Sequence, residues 1–92
     1  MEPFTVLNSP HSHRRPDGRY RFDARGIAKR FRHAAIFGAL DALDAGETME
    51  FVNDHDPQPL LAQIRQRYGE QVRVEYRERS PDGVVIDFAR AG

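Results

Sequence analysis

The side chains best suited to chemistry lie in two short segments that are far apart in the chain. The first segment holds Arg25, Lys29 and His33, and the second is the run 53–56, Asn-Asp-His-Asp. Imidazoles combined with carboxylates can bind a transition metal, whereas cationic side chains near a helix N-terminus favour an anion. Either chemistry requires a fold that brings the two segments together.

The spacing of apolar residues predicts the elements that position these side chains. Alternation of apolar and polar residues indicates strands, and a spacing of three to four indicates helices. We expect Gly46 and Gly69 to end the two helices, and Asp56 to cap the second helix with Pro57 at its first position. The predicted strands are residues 19–23, 48–53, 72–77 and 84–88, and the predicted helices include residues 33–43 and 57–68.

The element order β-α-β-α-β-β predicts an α/β (α+β) two-layer sandwich. Its four-stranded mixed sheet should carry both helices on one face, and its other face, with alternating Arg and Glu, should be wet. The first β-α-β unit should be a right-handed parallel crossover, and the last two strands should form a hairpin. Residues 1–18 are expected to be an N-terminal extension, a loop or a short edge strand, and residues 19–92 the domain.

This topology predicts a shared edge for the two polar segments. The beginnings of both helices and the end of the second strand should meet at the carboxyl edge of the sheet, where α/β proteins usually bind ligands. The residues expected at this ligand or partner edge are Arg25, Lys29, His33, Asn53, Asp54, His55 and Asp56.

Three kinds of binding are compatible with that edge. His33 and His55 with Asp54 would suit a divalent transition metal such as zinc, iron, manganese or copper. Lys29 and the neighbouring arginines would suit an anion or small ligand. The contrast between basic residues 14–32 and acidic residues 41–56 would suit docking of another protein or a homodimer. For each of these residues, the alternative is a structural role in an ion pair or at a helix end.

Composition removes several functions. The chain has no cysteine, so thiol nucleophiles, persulfide transfer and cysteine-bound metals are excluded. The formal net charge is zero, and few aromatic residues remain for stacking on bases, which argues against nucleic acid. No apolar run is long enough to span a membrane, and the first residues lack the pattern of a secretory signal. We therefore expect a cytoplasmic protein without a membrane partner.

Two sequence patterns resemble those of a known fold family. The segment Phe22-Asp23-Ala24-Arg25-Gly26-Ile27 and the turn Ala45-Gly46-Glu47-Thr48 resemble the corresponding motifs of TusA/SirA sulfur carriers. When this sequence is aligned with the carrier motif at the same spacing, the carriers' cysteine aligns with Lys29. Their two prolines align with Arg30 and Arg32. The resemblance implies a TusA/SirA-like fold without sulfur transfer.

Two further motifs resemble a cysteine-less branch of this fold, a bacterial domain family of unknown function. They are H-x-x-I-F at residues 33–37 and N-D-H-D-P-x-P-L at residues 53–60. The sequence therefore predicts a non-enzymatic accessory or interaction domain that binds a partner or small ligand at the carboxyl edge. The alternative is a transition-metal-binding protein that uses His33 and His55.

Overall fold

The computed structural model describes residues 15–91. Most of the predicted N-terminal extension, residues 1–14, lies outside the described residues. The elements are β1 (Arg19–Asp23), α1 (Lys29–Ala42), β2 (Thr48–Asn53), α2 (Gln58–Tyr68), β3 (Val72–Ser80) and β4 (Gly83–Arg90). Short 3₁₀ turns at Ala24–Gly26 and Gly69–Gln71 precede α1 and β3. The predicted β-α-β-α-β-β order is confirmed.

The four strands form one mixed sheet in the order β1-β2-β4-β3. β1 runs parallel to β2, with Phe22 opposite Phe51, while β4 is antiparallel to both β2 and β3. The last strand therefore lies inside the sheet, and β1 and β3 are its two edges. The predicted parallel β1–β2 pair and the predicted β3–β4 hairpin are both confirmed.

The hydrophobic core lies between the sheet and the two helices. Phe51 of β2 is at its centre, with its ring centroid 6.3 Å from that of Phe22 and 5.2 Å from that of Phe88. Both helices add buried residues to this same cluster, so they cover one face of the sheet, as predicted. The largest fully buried side chains are Phe51, Phe88, Ile36, Leu40, Met49, Ile64 and Ile86.

The opposite face of the sheet is not wet at every position, since Val52 of β2 is buried on it. Asp87 of β4 is buried there, although it belongs to the face that alternation predicts to be wet. The guanidinium of Arg19 lies 2.8 Å from its carboxylate, and that of Arg77 lies 3.7 Å away. Because these long side chains cover Asp87, the carboxylate is shielded from water by its own ion-pair partners.

The ends of the helices require two corrections. α1 begins at Lys29, four residues before His33, and ends at Ala42 with Leu43 as its C-cap. Gly46 is thus not the residue that ends α1. It occupies the turn before β2 at a φ of +89°, and its N–H donates to the carbonyl of Arg90. Gly69 does end α2, at a φ of +59°, as predicted.

A β-bulge in β3 changes which side chains face the helices. The pairing with β4 shifts between Tyr76 and Glu78, so Arg77 is an extra residue. An extra residue reverses the alternation of faces beyond it, which places Arg79 on the helix side with Tyr76. There the Arg79 guanidinium lies 4.4 Å from the Tyr76 ring centroid and 2.7 Å from the Asp56 carboxylate.

A second polar cluster joins the two helices. The hydroxyl of Tyr68 donates to Asp41 over 2.6 Å, and Arg67 donates to the same carboxylate over 3.0 Å. Arg67 also stacks on the ring of Phe37, 5.0 Å from its centroid. The cluster therefore fixes the end of α2 against the end of α1.

The burial of Tyr68 in this cluster leads to a testable prediction about stability at alkaline pH. Burial, and secondly the hydrogen bond to Asp41, raise the pKa of Tyr68 from 10.0 to about 12. Between these values the unfolded chain loses the Tyr68 proton while the folded chain keeps it, so stability should fall as pH rises through this window. Tyrosinate absorbance in a Tyr20→Phe/Tyr76→Phe background should show this pKa, and Asp41→Asn should lower it. An unchanged pKa in Asp41→Asn would contradict the role given to the hydrogen bond.

Candidate functional site

A pocket of about 300 Å³ lies between the first turns of α1 and the connection from β2 to α2. This is the carboxyl edge of the sheet, where the sequence predicts a binding site. We call it the edge pocket. Its lining residues are Lys29, Arg32, His33, Ile36, Phe51, Asn53, His55, Pro57, Pro59 and Leu60.

The edge pocket combines an apolar floor with a basic rim. Ile36, Phe51 and Leu60 form the floor, and all three are buried members of the core. The rim carries the ammonium of Lys29 and the guanidinium of Arg32. None of the described residues that line the pocket carries a carboxylate. The arrangement suits a ligand with a negatively charged group and an apolar part.

The N-terminus of α1 adds to the positive character of the rim. Ala28 at the N-cap offers no side chain to the free N–H groups, and the first turn contains no acidic residue. Instead, Lys29 and Arg30 begin the helix. Cations near the positive end of a helix dipole are unfavourable. An anion bound beside this turn would relieve that repulsion.

One cationic side chain is held in place and the other is free. The Nε of Arg32 donates to the carbonyl of Ile27 over 2.9 Å, which anchors its guanidinium against the backbone before α1. Within residues 15–91, the ammonium of Lys29 has no ion pair or hydrogen bond. Lys29 can therefore turn toward a ligand without breaking an existing contact.

Asn53 supplies a buried polar group at the pocket. Its side chain is only 5% exposed, and its Nδ2 donates to the carbonyl of His55 over 3.2 Å. Within the described residues, its Oδ1 is buried without a hydrogen-bond partner. An unpaired buried acceptor is rare and costs about 1–3 kcal/mol. Oδ1 has less than 1 Å² of accessible surface, so a ligand donor reaches it only when the surrounding side chains shift, and that hydrogen bond would then remove the cost.

His55 lies at the rim together with Asp54. The Nδ1 of His55 lies 2.6 Å from Oδ1 of Asp54. The hydrogen bond from His55 lowers the pKa of the Asp54 carboxyl, which keeps the carboxylate ionised. An ionised carboxylate can only accept a hydrogen bond, so the donor is the protonated Nδ1 of His55. Asp54 thus orients the imidazole rather than lining the pocket itself.

Two further residues predicted for this edge, Arg25 and Asp56, do not line the edge pocket. Arg25 pairs with Asp23 over 2.7 Å, and its hydrogen bond lowers the pKa of Asp23 to about 2. Arg25 lines a separate cavity of about 180 Å³ that it shares with Asn53. Asp56 faces β3 on the far side of the β2–α2 connection. The structure therefore brings together Lys29, His33, Asn53 and His55.

The prediction that Asp56 caps α2 is wrong. The helix begins at Gln58, Pro57 occupies the N-cap position, and no side chain caps the first turn. The carboxylate of Asp56 accepts from the hydroxyl of Tyr76 over 2.6 Å and from Arg79 over 2.7 Å. This carboxylate also accepts from the side chain of Gln58 over 3.0 Å, but it does not cap the backbone of the helix.

The metal ligands considered from sequence do not assemble into a group. His33 and His55 both line the edge pocket, but Asp54 is bonded to His55. Across residues 15–91, no three His, Cys, Asp or Glu side chains are placed to hold a metal ion.

Several residues of the pocket were not among those predicted for the edge. Arg32 was named only as one of the arginines suited to an anion; it lies three residues after Lys29 and therefore on the same side of α1. Pro57 was assigned only to the start of the helix, and Pro59 only to the N-D-H-D-P-x-P-L motif. The floor residues Phe51 and Leu60 carry no signal of their own, since they read as ordinary core positions.

Fold and site define the chain as a two-layer α/β domain with a basic, apolar-floored pocket at the carboxyl edge of its sheet. In the described part of the chain, no helix has the length and apolarity needed to cross a membrane. A family model described as "Uncharacterized conserved protein (DUF2249)" matches residues 21–90. The chain belongs to this family, DUF2249. Neither the curated proteins nor the solved structures that were searched gave a match.

Proposed function

We propose that this protein is a non-enzymatic accessory domain that binds a small organic anion, or the same group on a partner, in the edge pocket. The ligand carries a carboxylate for Lys29 and Arg32, an apolar part for the floor, and a hydrogen-bond donor for Asn53. The observation that carries the proposal is the unpaired Oδ1 of buried Asn53 in a pocket where, among residues 15–91, the ammonium of Lys29 also has no ion pair. One ligand with a hydrogen-bond donor and a carboxylate would engage both groups.

The resemblance to TusA/SirA carriers supports the same location. On the family spacing, Lys29 occupies the position of the carriers' reactive cysteine, and Lys29 lines the edge pocket here. An ammonium cannot form a persulfide, so we infer that the position has kept access to ligands while its chemistry differs. Lys29 is exposed to solvent rather than desolvated, which favours anion binding over nucleophilic catalysis.

A panel of small molecules tests the proposal. The full chain is titrated with lactate, propionate, lactamide and inorganic phosphate, and amide chemical shifts are followed by NMR. Lactate should bind best, because it has both the carboxylate and a hydroxyl donor. Propionate lacks the donor and lactamide lacks the charge, so both should bind more weakly. Short peptides with free and amidated C-termini distinguish a partner's carboxylate from that of a free molecule.

Matched variants test the roles of the individual pocket residues in ligand binding. Lys29→Gln and Arg32→Gln should each weaken lactate binding by roughly tenfold to a hundredfold, because each removes a charge-assisted hydrogen bond. Arg30→Gln makes the same charge change in the same turn but does not line the pocket, so it should have little effect. Asn53→Leu should remove the preference for lactate over propionate.

Two results would overturn the proposal. One is equal weakening by Arg30→Gln and Lys29→Gln, which would mean that only the general charge of the helix matters. The other is catalytic turnover by the purified protein that Lys29→Gln or His55→Ala abolishes, since this would make the protein an enzyme. Weakening of binding with increasing salt is also expected, because the rim interaction is electrostatic.

A further inference from the structure

Strand β3 leaves an unpaired edge on the side of the sheet opposite β1. It spans nine residues, and only β4 pairs with it in the part of the chain that the structure describes. Val74, in the middle of the strand, is one of two large hydrophobic residues exposed among residues 15–91. An exposed edge of this length is a template for another strand.

The hydrogen bonds of β4 show which backbone groups of β3 are free. The N–H of Ala91 donates to the carbonyl of Gln71, over 2.8 Å. Backbone groups alternate in direction along an antiparallel strand, so those of Arg73 and Glu75 also face β4. The N–H and C=O groups of Val72, Val74 and Tyr76 therefore point away from the sheet.

We propose that two copies of this chain pair through β3, antiparallel, with Val74 opposite Val74 on the two-fold axis. This register places Val72 opposite Tyr76 and Arg73 opposite Glu75, each pair occurring twice. The residues with outward backbone groups then form the hydrogen-bonded pairs. The Arg73–Glu75 pairs are the non-hydrogen-bonded ones, in which opposite side chains approach most closely.

Other two-fold registers along this strand are less favourable. Moving the axis by one residue toward the N-terminus places Arg73 opposite Arg73, and moving it the other way places Glu75 opposite Glu75. Like charges directly opposite each other are destabilising. Pairing is confined to residues before Arg77, where the bulge bends the strand. The Val74-centred register is therefore the one in which charge and apolar character both match.

The helix side of β3 offers room for the second strand's side chains. Val72, Val74 and Tyr76 form a groove of about 470 Å³ with Leu61 and Ala62 of α2. In the proposed register, the same three side chains of the second copy lie beside this groove.

Sedimentation equilibrium of the full chain from about 1 μM to about 1 mM tests the pairing, since it covers weak to moderate dimers. We expect a reversible dimer. Amide exchange of Val74 should be slow in concentrated samples and fast in dilute ones, because its N–H is bonded only in the dimer. A chain that stays monomeric over this range of concentration would overturn the proposal.

Charge exchange tests the register. Arg73→Glu places glutamates opposite one another and should weaken the dimer about tenfold or more, as should Glu75→Arg. The double variant R73E/E75R restores opposite charges across the two-fold axis and should recover the dimer. Failure of the double variant to recover, with far-ultraviolet circular dichroism unchanged, would rule out this register.

Val74→Lys provides a second, independent variant at the axis. It places two ammonium groups together and should abolish dimers at the concentrations where the natural chain forms them. Gln63→Lys adds the same charge to an exposed part of α2 outside the groove and should leave dimers intact. Equal behaviour of the two variants would contradict the proposal. Lactate binding at the edge pocket is measured separately and does not depend on this result.

Discussion

Replacing Phe51 with alanine should lower the free energy of unfolding by about 3–5 kcal/mol. Phe51 is fully buried, its ring contacts those of Phe22 and Phe88, and it lies in the central strand β2. Truncation removes apolar contacts on both sides and leaves a cavity that the surrounding strands cannot fill. Because the side chain is also part of the edge-pocket floor, the variant should bind the apolar part of a ligand less tightly.

Phe31→Ala is the matched control for this prediction. Phe31 is 57% exposed on α1, so the same truncation should change the free energy of unfolding by no more than about 0.5 kcal/mol. Urea unfolding followed by circular dichroism measures both variants. Similar losses at the two positions would contradict the core that we describe.

Replacing Gly83 with alanine should lower the free energy of unfolding by about 2–4 kcal/mol. A Cβ at Gly83 would lie 2.5 Å from the carbonyl oxygen of Asn53, and the residue has a φ of +155°. The clash is with backbone rather than with a flexible side chain, so β2 and β4 would have to separate locally. The same shift would displace Asn53, and lactate binding should weaken together with stability.

Gly38→Ala is the control for Gly83→Ala. Gly38 is exposed within α1, and a Cβ there would meet nothing within 4 Å. Alanine in a helix interior should raise the free energy of unfolding by about 0.5–1 kcal/mol. The two glycine variants should therefore change stability in opposite directions. A neutral Gly83→Ala variant with unchanged lactate binding would show that the end of β2 tolerates movement.

The two proposed surfaces use different parts of the sheet. The edge pocket lies where β2 ends and α1 begins, and the pairing edge is the outer side of β3. Asp56 lies between them, because it follows β2 but bonds to Tyr76 and Arg79 of β3. A dimer paired through β3 would present two edge pockets on one continuous sheet.

Local periodicity was sufficient to predict the elements. Alternation at Tyr20 and Phe22 and the helical spacing of Ile36 and Leu40 are properties of neighbouring residues, and burial on one face requires only that pattern. The order of elements then predicted the parallel β1–β2 pair and the common edge that holds Lys29 and His55. Those expectations are met because chain connectivity leaves few ways to cover such a sheet.

Only the tertiary structure decided which polar groups share a site. The bulge after Tyr76 places Arg79 on the helix side, and Arg79 then competes for Asp56, which sequence alone assigned to a helix cap. The insertion of β4 between β2 and β3 depends on long-range pairing that no local pattern encodes. The same holds for the unpaired oxygen of Asn53, since whether a buried acceptor finds a donor depends on every chain segment packed around it.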